Sequence, residues 1–256
     1  MAGENWTSGV DTYLKWNRFE GKRRSDKNSE LDILSQMSPS RSRKTRRNAS
    51  DSRGKSSKPK PVKLRIIGGT MGGRIIQYHG ADFTRPMKDN IRENLFNILG
   101  QAVRNSHCFD MFAGTGALAL ESLSRGAASA VLVEQNRRAT EYIQKTVDSL
   151  DLQTQVRLVI GDSFRLAAQL LGPPQDETPW IVFLSPPYIL WEEKLDEMNQ
   201  LIQLAMLNGP PGSVLVVETE KSFDKDKLYQ GNWDWREYGG TRLGFIEPGS
   251  ICGMNL

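Results

Sequence analysis

Four short stretches of this 256-residue chain combine residue types and spacings that could do chemistry. The first reads Phe109-Asp110-Met111-Phe112-Ala113-Gly114-Thr115-Gly116 and leads into the apolar run Ala117-Leu118-Ala119-Leu120. Glycines at 114 and 116 remove the Cβ atoms that would keep a ligand off the backbone where a strand turns into a helix. Glu134 closes the next apolar run, where a carboxylate can accept both hydrogen bonds of a ribose diol. Asp162, in Ile160-Gly161-Asp162-Ser163-Phe164, offers a further carboxylate that an adenine amino group could reach. Together these describe a site for a nucleoside-bearing cofactor at the head of a parallel sheet.

Gly-Thr-Gly-Ala-Leu-Ala also satisfies the G-x-G-x-x-A form of the dinucleotide fingerprint, so a nicotinamide cofactor is an alternative, and a packing turn with solvated acids is another. Asp110 decides between them. A negative charge beside the turn repels a pyrophosphate but suits the ammonium and sulfonium of S-adenosylmethionine. The expected cofactor is therefore S-adenosylmethionine, held by Asp110, Phe112, Gly114, Gly116, Glu134 and Asp162. The fourth stretch, Ser185-Pro186-Pro187-Tyr188, follows another apolar run. Two prolines fix φ and remove two N–H donors, which leaves a stiff loop with outward carbonyls beside an aromatic plate. Such a loop can accept the hydrogens of an exocyclic amine while the ring stacks on its base. Ser185, Pro186, Pro187 and Tyr188 are the candidate catalytic residues.

The elements that must position these residues follow from periodicity. Apolar runs at 107–112, 129–134, 155–160, 180–184 and 213–218 alternate with helical patterns beginning near 116, 136, 163 and 192, as in a parallel sheet covered by helices on both faces. Residues 233–238 and 242–246 flank Gly239-Gly240-Thr241 and predict an antiparallel hairpin at the sheet edge. Upstream, 63–69 and 73–79 predict a β-hairpin carrying Arg65 and Arg74, and Ile91, Leu95, Phe96, Ile98 and Leu99 predict a helix over about 87–104.

Composition bounds the rest. Residues 1–60 contain 15 Lys/Arg and 7 Asp/Glu, a net of +8, and the chain as a whole is +4, so residues 61–256 carry −4. The tail holds almost no apolar residue between Gly21 and Lys60, and it reads as a basic extension without a core of its own, suited to phosphate contact by counterion release. Two cysteines and two histidines exclude a disulfide framework and a clustered Cys/His metal site. No apolar run reaches the roughly 18 residues of a membrane span, and the N-terminus lacks a basic-then-apolar signal pattern. A cytoplasmic protein, monomeric and without metal, is expected.

The motifs "DMFAGTGALALESLSRGA", "VLVEQN", "GD" and "PPY" resemble those of class I amino-methyltransferases. The flanks "LRIIGGTMGGRII", "TRPMKDNIRENLFNIL" and "REYGGTRLGFIE" are similar to those of the RsmD family of guanine-N2 methyltransferases of small-subunit ribosomal RNA, from about Lys63 to Ile246. The resemblance implies a seven-stranded Rossmann-like sheet, a methyltransferase domain over 61–256, S-adenosylmethionine as methyl donor, and a 16S ribosomal RNA or ribosomal particle as partner. It also places Arg85 and Arg92 near the mouth of the site, as RNA contacts beside Arg65 and Arg74. The family's loop begins with Asp or Asn, and this chain has Ser185, a shorter and weaker acceptor. Methylation of another amine, adenine N6 or glutamine, and a catalytically impaired RNA-binding homologue are the alternatives.

Overall fold

The computed structural model describes residues 64–78, 80 and 86–248. They belong to one unit, Lys58–Leu256. The basic tail over 1–60 and the expected RNA contact Arg85 lie outside the described residues.

Seven strands form one sheet: β1 (His107–Asp110), β2 (Ser129–Glu134), β3 (Val156–Ile160), β4 (Trp180–Leu184), β5 (Val214–Glu220), β6 (Asp234–Tyr238) and β7 (Thr241–Ile246). Their order is β3-β2-β1-β4-β5-β7-β6. The first five strands are parallel, and β7 inserts antiparallel between β5 and β6. The expected terminal hairpin is present, but its second strand, not its first, pairs with the body of the sheet. The helices are α1 (Asp89–Leu99), α2 (Ala117–Ser124), α3 (Arg137–Ser149), α4 (Ser163–Leu170), α5 (Leu190–Glu193) and α6 (Leu195–Asn208). The helical pattern upstream of β1 ends as a 3-10 turn, Gly100–Val103. No helix among the described residues is long and apolar enough to cross a membrane.

Period-two alternation divides the core between the two faces of the sheet, because successive strand side chains point to opposite sides. Ile181 and Phe183 of β4 and Val214 and Val216 of β5 join a cluster with Ile91 and Leu95 of α1, Leu120 of α2 and Ile143 of α3. Trp180, Val182 and Leu184, with Leu215 and Val217, join the opposite cluster against Leu170 of α4 and Leu201 and Ile202 of α6. The two faces therefore hold the strand ends rigidly from above and below.

The order in which strands are added reverses between β1 and β4, which are parallel hydrogen-bonded neighbours (Asp110 opposite Phe183). At such a switch point the loops leaving the carboxyl ends of the strands diverge and open a crevice. Asp110 and Glu134 end their strands, Asp162 and Ser185 lie just beyond theirs, and Glu218 lies two residues before the end of β5.

The upstream hairpin is smaller than its sequence suggests. A single bridge, Arg65 to Ile75, joins its arms, supported by Ile66 N–H to Arg74 O at 2.9 Å and Ile76 N–H to Leu64 O at 2.9 Å. The ladder stops because the turn bonds to α2 instead. Ile67 and Gly68 donate their N–H groups to the Glu121 carboxylate at 2.7 and 2.9 Å, and Thr70 N–H donates to Ser124 O at 2.8 Å. Gly69 has φ of 74°, and a Cβ there would stand 1.9 Å from Ser124 O, so only glycine permits this approach. Gly69→Ala is expected to destabilise the domain by about 2 kcal/mol or more, a fall in Tm of roughly 4–8 °C for a domain this size. Scanning calorimetry of the variant checks this, and an unchanged Tm would show that the docked turn is not part of the cooperative unit.

Candidate active site

A cleft of about 1150 Å³ opens over the switch point. Within it, β1 delivers Asp110 beneath the glycine turn that starts α2. Its carboxylate is 1% exposed, and neither oxygen has a hydrogen-bonding partner of good geometry among the described residues. Burial pushes this carboxyl up to about 7, and the nearby Glu134 charge adds to the rise. The backbone N–H groups of Ala119 and Phe112 counter it only in part. A desolvated, unpaired acid lining a cleft is the arrangement that a cationic ligand stabilises.

Glu134 ends β2 and is held by two backbone donors: Gly114 N–H reaches Oε2 and Asn136 N–H reaches Oε1, both at 2.8 Å. Each oxygen keeps a lone pair for a further donor, so the fixed carboxylate presents two acceptors side by side, as a vicinal diol requires. Asp162 is the N-cap of α4 and accepts from Phe164 N–H at 2.9 Å. Phe112 and Phe164 meet edge to face, 5.7 Å between centroids, and both line the cleft, where Lys194 Nζ stands 4.6 Å from the Phe164 ring. These features accommodate a nucleoside with a cationic substituent: two acceptors for the sugar, aromatic edges for the base, and an unpaired acid for the charge.

The same cleft is lined by the loop that leaves β4, the neighbour of β1. Pro186 is buried and Pro187 is exposed. The Pro187 carbonyl turns back to accept Leu190 N–H at 2.9 Å, which starts the short helix α5, whereas the Pro186 carbonyl accepts no hydrogen bond among the described residues. Ser185 donates its hydroxyl to Glu218 Oε2, and the Tyr188 phenol donates to Glu218 Oε1 at 2.9 Å and lies 3.2 Å from Thr241 Oγ1. Burial, with the adjacent Glu218 charge, raises the Tyr188 hydroxyl to about 12, so the phenol stays protonated as a donor. The ring is thereby fixed at both ends, by the proline loop and by its hydroxyl.

Of the residues expected from the sequence, Asp110, Phe112, Gly114, Glu134, Asp162, Ser185, Pro186, Pro187 and Tyr188 line this one cleft. Gly116 does not. It has φ of 74° at the N-cap of α2, and a Cβ there would meet Leu132 at 3.0 Å and Ile143 at 3.5 Å, so this glycine serves close contact of helix and sheet.

Arg92 requires a correction. Its side chain is fully buried, donates to Arg65 O at 2.6 Å and to Asp89 Oδ1 at 3.1 Å, and stands 3.9 Å from Glu121 Oε2. A guanidinium enclosed by protein cannot reach a phosphate; it ties α1 to the hairpin and α2. The helical stripe Ile91, Leu95, Phe96 and Leu99 faces the core, and position 92 lies near enough to that stripe to be enclosed with it. Arg65 and Arg74 remain at the surface, the first 3.4 Å from Asp89 and the second donating to Ser149 O at 3.1 Å.

Two participants escape the sequence reading. Glu218 and Thr241 bind the proline loop from β5 and β7; Glu218 belongs to no short motif, and Thr241 was read only as part of the hairpin turn and the flank around it. The available signal was an acid near the carboxyl end of the strand next to β4, in Val216-Val217-Glu218-Thr219-Glu220. Among the described residues no group of three or more His, Cys, Asp or Glu is placed to hold a metal ion.

The strand order, the acid-flanked glycine turn and the Pro-Pro-Tyr loop together define a Rossmann-like methyltransferase domain. The chain belongs to the family described as Conserved hypothetical protein 95, the RsmD-like methyltransferases, whose model matches residues 64–247. It is 32% identical over 173 residues to the ribosomal RNA small subunit methyltransferase D of Haemophilus influenzae, spanning 66% of this chain and 84% of that one. It is 38% identical over 125 residues to the protein of the same name from Escherichia coli, spanning 49% of this chain and 60% of that one. Among solved structures, a putative methyltransferase from Escherichia coli, yhhF, superposes with a TM-score of 0.56 at 30% identity, over 72% of this chain and 96% of that chain.

The raised Asp110 acid has a consequence for stability. The folded, unliganded protein keeps this proton up to about pH 7, whereas the unfolded chain loses it in the ordinary carboxylate range. The folded state therefore binds more protons across that window, and stability falls as pH rises from about 4 through 7, with a slope of at most about 1.4 kcal/mol per pH unit. Asp110→Asn, which does not titrate, is expected to be more stable than the parent near pH 8, with the difference closing on acidification. Urea unfolding between pH 5 and 8 checks this; parallel curves for the two proteins would contradict it.

Proposed function

We propose that this protein is an S-adenosylmethionine-dependent methyltransferase that places a methyl group on the exocyclic N2 of a guanine in small-subunit ribosomal RNA. One observation carries the reading: the unpaired Asp110 carboxylate and the Ser185–Tyr188 loop line a single cleft from the ends of the neighbouring strands β1 and β4, one suited to a cationic cofactor and the other to a planar amine. The names of the relatives supply the substrate class, and membership of the family supplies the reaction. S-adenosylmethionine contributes, when bound, an electrophilic methyl carbon on a sulfonium.

The chain's own residues do the rest. Glu134 holds the ribose hydroxyls, Asp162 and the Phe112–Phe164 pair border the base, and Asp110 faces the positive charge. The Pro186 carbonyl and Ser185 Oγ accept the hydrogens of the target amine, and Tyr188 stacks on the extruded base. Water is kept from the reacting atoms by the buried proline and the aromatic rings, and rate comes chiefly from holding nucleophile and methyl in line. Arg65, Arg74, Arg85 and the basic tail serve phosphate contact, which adds affinity that falls with salt and carries no sequence information.

The purified protein, incubated with S-adenosylmethionine and either small-subunit ribosomal RNA, ribosomal particles or duplex DNA, should produce N2-methylguanosine in the first or second substrate and no N6-methyladenosine in the third. Nucleoside mass spectrometry makes the measurement, and modification of DNA alone would defeat the proposal. Asp110→Asn should weaken cofactor binding by about tenfold or more, as expected for loss of a charge-assisted contact. In the parent protein, cofactor affinity should rise with pH through about 7, because the ligand's charge favours the ionised acid. Titration calorimetry at pH 6 and 8 distinguishes this from a pH-independent site. Tyr188→Ala should lower turnover by roughly tenfold or more while leaving cofactor affinity within about twofold, as expected of a group that acts on the base alone.

A further inference from the structure

The carboxylate of Glu218 spends both oxygens on the proline loop, accepting the Ser185 hydroxyl on Oε2 and the Tyr188 phenol on Oε1 at 2.9 Å, while its backbone carbonyl accepts Trp191 Nε1 at 2.8 Å. No Lys or Arg among the described residues forms an ion pair with it, and it lines the cleft. An acid near the end of a central strand, bonded only to neutral donors and turned toward a ligand cleft, keeps its charge available to whatever those donors touch.

On the reading of the reaction given above, we infer that Glu218 is the positioning residue for the target amine and acts through Ser185. A serine hydroxyl has one hydrogen and two lone pairs. If the hydrogen faced the guanine amino group, two donors would oppose each other. Glu218 takes that hydrogen, so what Ser185 offers to the amine is its lone pairs, and a hydroxyl bonded to a carboxylate is a stronger acceptor than a free one. The pair Ser185–Glu218 thus provides the acceptor that a single longer side chain at position 185 would supply.

The same pair gives the proton a route. Once the nitrogen has gained a methyl group and a positive charge, an N–H bond breaks and its electron pair stays on nitrogen. The proton passes to Ser185 Oγ as the hydroxyl's own proton moves to Glu218 Oε2. The products are a neutral secondary amine, an intact serine and a protonated carboxyl, which returns its proton to solvent once the product has left the cleft. Tyr188 is not on this route, because its phenol is already a donor to the other oxygen.

The test is a double-mutant cycle on the full chain with S-adenosylmethionine and small-subunit ribosomal RNA, read as kcat, cofactor Kd by calorimetry, and Tm. Glu218→Gln should lower kcat by about tenfold or more with cofactor Kd within about twofold, Ser185→Ala should lose a similar factor, and the double variant should be no worse than the poorer single by more than about threefold, because the two act as a unit. Ser185→Asn in the Glu218→Gln background should recover at least about threefold in kcat over Glu218→Gln alone, since the amide oxygen can accept from the amine without a charge behind it.

Unchanged kcat in Glu218→Gln, multiplicative losses in the double variant, or no recovery with asparagine would each overturn the inference. Should Glu218→Gln fail to fold, Ser185→Ala keeps the Tyr188 and Trp191 bonds to Glu218 and carries the decision, an unchanged kcat again being fatal. A parent protein that forms no N2-methylguanosine at all would instead refute the proposed function, and the two failures are separable on that first measurement.

Discussion

A single buried carboxylate governs this site. Asp110 ends the central strand of the sheet with Phe183 on one side and Leu132 on the other, and the fold supplies it with neither cation nor full hydrogen bond. Leaving a charge in that position is costly, and the protein accommodates it by retaining a proton. Any ligand that brings a positive charge to the cleft relieves the cost, so part of such a ligand's affinity is set when the chain folds. The rigidity of the sheet matters here, because a looser strand end could turn the acid toward water and lose the effect.

The surroundings of the glycine turn show how that rigidity is achieved. Helix α2 begins at Gly116 and carries Glu121, which is fully buried and accepts from Ile67, Gly68 and Arg125 with Arg92 close by. A buried charge group of this kind contributes little net stability but specifies one arrangement of its partners. Hairpin, α1 and α2 are locked together, and Pro86, Met87, Lys88 and Ile91 are carried to the cleft wall as a result.

How much of this was legible in the sequence depends on whether a residue's role is local. Strands β1 to β5 follow from alternating apolar runs, and Asp110, Gly114, Glu134, Asp162 and Tyr188 sit in short motifs whose spacing sets their place at strand ends. Arg92 was misread because a charged side chain flanking an apolar helical stripe looks exposed until the helix has neighbours on more than one side, and the hairpin supplies the second neighbour from 27 positions upstream. Gly116 was assigned to the ligand although its missing Cβ makes room for Leu132. Glu218 and Thr241 were invisible for a related reason: they meet Ser185 and Tyr188 across 30 to 53 positions of chain, through strand pairings that no local pattern encodes.

The insertion of β7 between β5 and β6 bears on how the molecule is made. Strand β5 gains its second neighbour, and Tyr188 its contact with Thr241, only when a strand that follows β6 in the chain threads back beside one made earlier. Asp110, Glu134 and Asp162 depend on strands that come early in the chain, whereas the bonds that hold Ser185 and Tyr188 need β5 and β7 as well. A chain interrupted before β7 would keep the acid-flanked glycine turn but not the contact that anchors the Tyr188 hydroxyl to Thr241.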